Sequence, residues 1–190
     1  SGADWEVVEK FLPNRWSAKD TDLTKKSSEG SLAELRMVFL NKEKKSYWNQ
    51  FSNGLLGRKA YNQLTKITNE FLDAGGHTSL ADAKFIDELW NTSKFYDKIQ
   101  LWSLFQKTPH NEIFLKVKSS YDAAKGFINA QDDVLSLIKE FDSDSNNSKE
   151  EIQFIKLLKG EVNEKKIQGL TFLRNLKNAF PEVYKSIETN

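Results

Sequence analysis

The chain contains no cysteine. That absence excludes a disulfide framework, thiolate metal sites, iron–sulfur ligation and a cysteine nucleophile. Histidine is almost as scarce, with only two in 190 residues, His77 and His110. Neither has a His or acidic partner four residues on, so H-E-x-x-H zinc chemistry and most His-based acid–base arrangements are also excluded. No apolar run approaches the ~18–20 residues of a membrane span. An excess of charge of one sign is missing too: 28 Lys and Arg stand against 27 Asp and Glu, for a formal charge of +1. A general nucleic-acid binder would be far more basic, and an acidic tail far more acidic. No G-x-S-x-G, P-loop or G-x-G-x-x-G occurs. No cofactor is expected, and the chain is not expected to be an enzyme.

What is present is helical periodicity. Tyr61, Leu64, Ile67, Phe71 and Leu72 recur at three- and four-residue spacing, and Gly75-Gly76 ends the run as a helix stop. Ser79 to Asp82 reads as an acidic capping box opening a helix with Leu80, Phe85, Ile86, Leu89 and Trp90 on one side. Phe95, Ile99, Trp102 and Phe105 continue the pattern to Thr108-Pro109, where proline suits the first turn of the next helix. Ile113, Phe114, Val117, Tyr121, Ala124 and Phe127 make that helix's stripe, and Val134 to Phe141 reads as a separate short helix. Ser148 to Glu151 is a full capping box ahead of Ile152, Ile155, Leu158 and Val162; the stripe extends through Ile167, Leu170, Leu173, Leu176 and Phe180 to a break at Pro181. Period-two alternation is slight. The chain is therefore expected to be an all-α bundle of eight to ten mostly short amphipathic helices. Residues 1–30 are expected to hold an N-terminal helix (Trp5, Val8, Phe11 and Leu12, stopped at Pro13) and a polar segment, with residues 31–190 forming a single helical domain.

The polar loop from Asp142 poses a metal question. Asp142, Asp144, Asn146, Ser148 and Glu150 fall at alternate positions, as in an EF-hand loop. But Asn147 stands where the turn needs glycine, and Gln153 where the bidentate Glu belongs. A solvated loop with a capping box is the expected outcome. Lys42-Glu43-Lys44-Lys45 reads as a solvated helix turn. Adjacent carboxylates, such as Asp132-Asp133, point to different faces of a helix.

The chain carries five Trp, five Tyr and thirteen Phe. Most lie on core stripes, but Trp5, Trp16 and Trp48 sit in less periodic surroundings and are candidate exposed anchors for a protein partner. Asp4-Trp5-Glu6-Val7-Val8 resembles an Atg8-interacting motif, in which the peptide adds a strand to a sheet edge and drops Trp5 and Val8 into two pockets. Trp5, Val8, Trp16 and Trp48 are thus the candidate partner-binding residues.

Trp102-Ser103-Leu104-Phe105-Gln106-Lys107-Thr108-Pro109, followed by Ile113-Phe114 and Tyr121, resembles the W and Y motifs of oomycete RXLR effectors, over some 30 residues. The resemblance implies a WY-type helical fold in which Trp102 and Tyr121 are scaffold residues. It also implies a virulence factor secreted by a plant pathogen, acting in the host cytoplasm by binding host proteins, with its leader ahead of Ser1. Ser1-Gly2-Ala3 itself reads as the residue of a cleaved expression tag. The alternatives are a cytoplasmic adaptor or structural subunit and a microbial surface protein with a helical ectodomain. A hydrolase or transferase is a third class. A homodimer is compatible with the surplus aromatics.

Overall fold

The computed structural model describes residues 28–90, 110–143 and 148–189. Among these residues the chain is all helix, with no strand. Six helices appear: α1 (Ser28–Ser52), α2 (Arg58–Asp73), α3 (Ala83–Trp90), α4 (His110–Asp142), α5 (Lys149–Ala179) and α6 (Pro181–Glu188).

The bundle is built around the antiparallel pair α4 and α5. Asp132 faces Lys166, and Ile128 and Phe127 face Gly169. Gly169 is what allows this approach: a Cβ there would stand 3.0 Å from both neighbouring side chains. Helix α1 runs antiparallel to α4, with Phe39 edge-on to Phe141 (6.0 Å), Ser46 donating to Asp133 (2.5 Å) and Gln50 donating to the Gly126 carbonyl (3.0 Å). Helix α2 returns along α1, and α3 bridges α2 to α5. Trp90 of α3 stacks on Phe172 (4.6 Å) and meets Phe127 edge-on (5.2 Å). Tyr184 of α6 closes the far end against Tyr121, at 5.3 Å.

Helix ends follow local chemistry. Gly54, Gly75 and Gly76 take positive φ, and only glycine enters that region cheaply. At Gly76 the need is double, since a Cβ would come within 2.3 Å of the Ala33 carbonyl oxygen. The capping box at the start of α5 is complete: Ser148 Oγ accepts from the Glu151 amide (3.2 Å), and Glu151 accepts from the Ser148 amide (2.7 Å).

Four expectations are corrected. The helices expected separately over Ile113–Phe127 and Val134–Phe141 are one continuous 33-residue helix, α4. The intervening Ile128 to Asp133 holds neither Gly nor Pro, so nothing interrupts it. Second, Asp82 rather than Ser79 caps α3. Its Oδ1 accepts from the Lys84 amide (2.9 Å) and its carbonyl from the Ile86 amide (3.2 Å), while Ser79 Oγ serves a tight turn to Ala81. Third, Glu43 is not part of a solvated turn. It is buried at 3% exposure. The polar segment expected to reach Gly30 is already helical from Ser28.

Candidate functional site

The interior contains an ionic core that composition alone does not announce. The buried stripe of α1 runs Ala33, Arg36, Phe39, Leu40, Glu43, Ser46, Tyr47, Gln50, so polar residues (Arg36, Glu43, Ser46, Gln50) occupy half of its core-facing positions. Each finds a partner. Arg36 grips Glu161 of α5 with both arms of its guanidinium (Nη2 to Oε1 2.6 Å, Nε to Oε2 3.1 Å) and donates to the Gly76 carbonyl at 3.2 Å. Glu161 Oε2 also accepts from the Leu80 amide at 2.9 Å. One clamp thereby ties α1, α5 and the α2–α3 connection.

Two turns along α1, Glu43 accepts from Lys165 Nζ and from the Tyr47 hydroxyl, both at 2.6 Å. The Lys165 ammonium lies 5.1 Å from the Phe71 ring centre and 5.5 Å from that of Phe127, within cation–π range. Burial pushes the Tyr47 phenol well above its ordinary pKa, and the neighbouring Glu43 charge pushes the same way. Lys165 is 1% exposed and Tyr47 wholly buried. These groups are satisfied by one another inside the bundle, so their chemistry is that of a structural core.

The surface carries a large exposed aromatic side chain. Trp48 is 54% exposed, the residue after wholly buried Tyr47. It leans on an aromatic platform: Phe51 and Tyr61 stack at 4.7 Å, and the Trp48 ring sits 6.0 and 6.1 Å from the two. The turn that follows α1 leaves Leu55 73% exposed, its amide donating to the Gln50 carbonyl at 2.9 Å. Trp48 is held in place by rings that are themselves half-buried, so it presents apolar area with little freedom left to lose.

A second feature is a groove of about 500 Å³ between the first turn of α2 and α4. Arg58, Lys59 and Lys118 line it with Leu115 and Asp122. Burial raises the Asp122 carboxyl above its usual value, against the pull of the Lys118 ammonium 3.7 Å away.

Of the candidate residues read from the sequence, Trp48 is exposed as expected. Trp5, Val8 and Trp16 lie outside the described residues, as do Trp102 to Pro109. Tyr121 is half-buried against Tyr184. His77 is exposed in the loop after α2. Of the Asp142 loop, Asp144 to Asn147 lie outside the described residues, and Ser148 is engaged in the capping box. Among the described residues no three His, Asp or Glu side chains gather to hold a metal ion, and no helix is long and apolar enough to cross a membrane. Asp132 and Asp133 diverge as expected, to Lys166 and Ser46.

The ionic core escaped the sequence reading, although a signal for it exists. Glu161 and Lys165 fall in phase with Leu158, Val162 and Phe172, and a charge on an apolar stripe must either break the stripe or be paired. No family model, curated protein or solved structure matches the chain.

Proposed function

We propose that the protein is a non-enzymatic helical interaction module that docks a protein partner at the Trp48 corner. The observation that carries this reading is a large aromatic, more than half exposed, fixed on the Phe51–Tyr61 platform. Interface energy concentrates on such anchors, because a rigid ring buries much area at small entropic cost. Trp5 and Val8 are a second docking element for an Atg8-like partner, and Trp16 a third anchor.

Affinity capture with the full chain and with Trp48→Ala tests the proposal. A reproducible partner set retained by the parent and lost by Trp48→Ala supports it; an identical set on both overturns it. Loss through Trp5→Ala with Val8→Ala instead would move the site to the N-terminal motif. Action as a secreted effector inside a host cell rests on the Trp102–Tyr121 resemblance alone. A plant trafficking, autophagy or immune component in the partner set supports that setting, and the adaptor reading takes its place if only partners from the protein's own cell are found.

A further inference from the structure

Helix α5 has an outer face unlike the rest of the surface. At about 100° per residue, Ile152, Leu170, Lys159, Lys177, Lys156 and Arg174 fall within a sector of roughly 60°, with Ile167 at its margin. All seven side chains are exposed; Ile152, Ile167 and Leu170 are 49%, 61% and 46% so. The row spans about 40 Å of straight helix. No carboxylate interrupts it: Glu150 and Glu164 fall on the far flank, Glu151 is engaged by the capping box, and Glu161 points into the core. Among the described residues no carboxylate pairs with Lys156, Lys159 or Arg174. Lys177 lies over the Tyr184 ring at 5.4 Å, and Lys166, at the edge of the row, is taken by Asp132. In a chain of net charge +1, this is a local concentration of positive charge.

We propose that this face seats the protein on an anionic lipid bilayer, with the helix lying parallel to the surface. Charge complementarity carries the choice of partner, and the aliphatic residues sharpen it. Lysines and an arginine interleaved with Ile and Leu suit a boundary where headgroups are negative and the layer beneath them is apolar. A nucleic-acid backbone offers nothing for Ile152 or Leu170 to enter. A peptide would need a groove, whereas this is the convex outside of a single helix. The short aliphatic residues give shallow, reversible seating without insertion of the fold.

Sedimentation of the full chain with phosphatidylcholine vesicles, with and without phosphatidylserine, tests this. The expected result is recovery with the anionic vesicles at least about tenfold above the neutral ones, falling as salt is raised. Lys156→Glu with Lys159→Glu lowers that partition by at least about tenfold. Ile167→Asn with Leu170→Asn lowers it by at least about threefold at unchanged charge. Lys59→Glu, in the α2–α4 groove, leaves it unchanged. Circular dichroism establishes that each variant keeps its helix content. Equal recovery with both vesicle types overturns the proposal, as does unaltered partition of the α5 variants. Capture of duplex DNA or an acidic peptide in place of vesicles also overturns it. Trp48→Ala should bind vesicles as the parent does, so this result stands or falls separately from docking at the Trp48 corner.

Discussion

The two sides of α5 carry the same residue types under opposite rules. Inward, Glu161 and Lys165 are nearly inaccessible, and each is met by a group on α1 at 2.6 Å. Outward, Lys156, Lys159 and Arg174 stand in solvent with no carboxylate partner among the described residues. Desolvation makes the difference. An ion taken out of water costs several kcal/mol unless it is paired and hydrogen-bonded, whereas an exposed lysine costs nothing to leave alone. Charges inside this bundle therefore report on how the helices are held, and charges outside it on what the protein can touch.

The largest expected effect comes from leaving one buried ion without its partner. Arg36→Ala strands the buried Glu161 carboxylate and the Gly76 carbonyl, and should cost about 3–5 kcal/mol in urea unfolding. Replacing both partners of the second pair, Glu43→Leu with Lys165→Met, should cost far less than either change alone, because no charge is left buried. Equal losses for the single and double variants would show that packing rather than desolvation dominates.

Next is Gly76→Ala, expected to cost at least about 2 kcal/mol from positive φ and contact with the Ala33 carbonyl combined. Alkaline stability follows from Tyr47. Its folded pKa is raised, so the neutral phenol's contribution is fully present below the unfolded value near 10. It is lost as pH rises through the folded value, because the unfolded chain ionises first. Stability should thus decline above about pH 10, and Tyr47→Phe should flatten that decline while lowering stability at neutral pH. Ser148→Ala should cost about 1 kcal/mol through the capping box. Smallest of all, Lys156→Ala should stay within about 0.5 kcal/mol of the parent.

Much of this architecture was readable from spacing. The Tyr61–Phe71 stripe, the Gly75-Gly76 stop, the Ser148 capping box and the Pro181 break all depend on neighbours within a few residues, and all four stand in the structure. Trp48 could be picked out as a candidate exposed anchor because its surroundings are less periodic than the core stripes. The α4 boundary was missed because a change in apolar phase near Asn129 to Asp133 resembles a break when no breaker is present. The exchange of Ser79 for Asp82 is a choice between two good capping residues three positions apart, decided by where Leu80 packs and which amide Glu161 claims. Glu43 and Lys165 lie far apart in sequence, and their pairing exists only once α1 and α5 are side by side. Local rules cannot supply a contact of that kind.

The most direct test of the contrast between the two sides of α5 is to unfold Lys165→Ala and Lys159→Ala in urea under identical conditions. Both remove one lysine from the same helix. The account predicts a loss of about 3 kcal/mol or more for Lys165→Ala and less than about 0.5 kcal/mol for Lys159→Ala. Losses of similar size would contradict it, since the buried charge would then owe nothing to its partner and the two faces of α5 would not differ in kind.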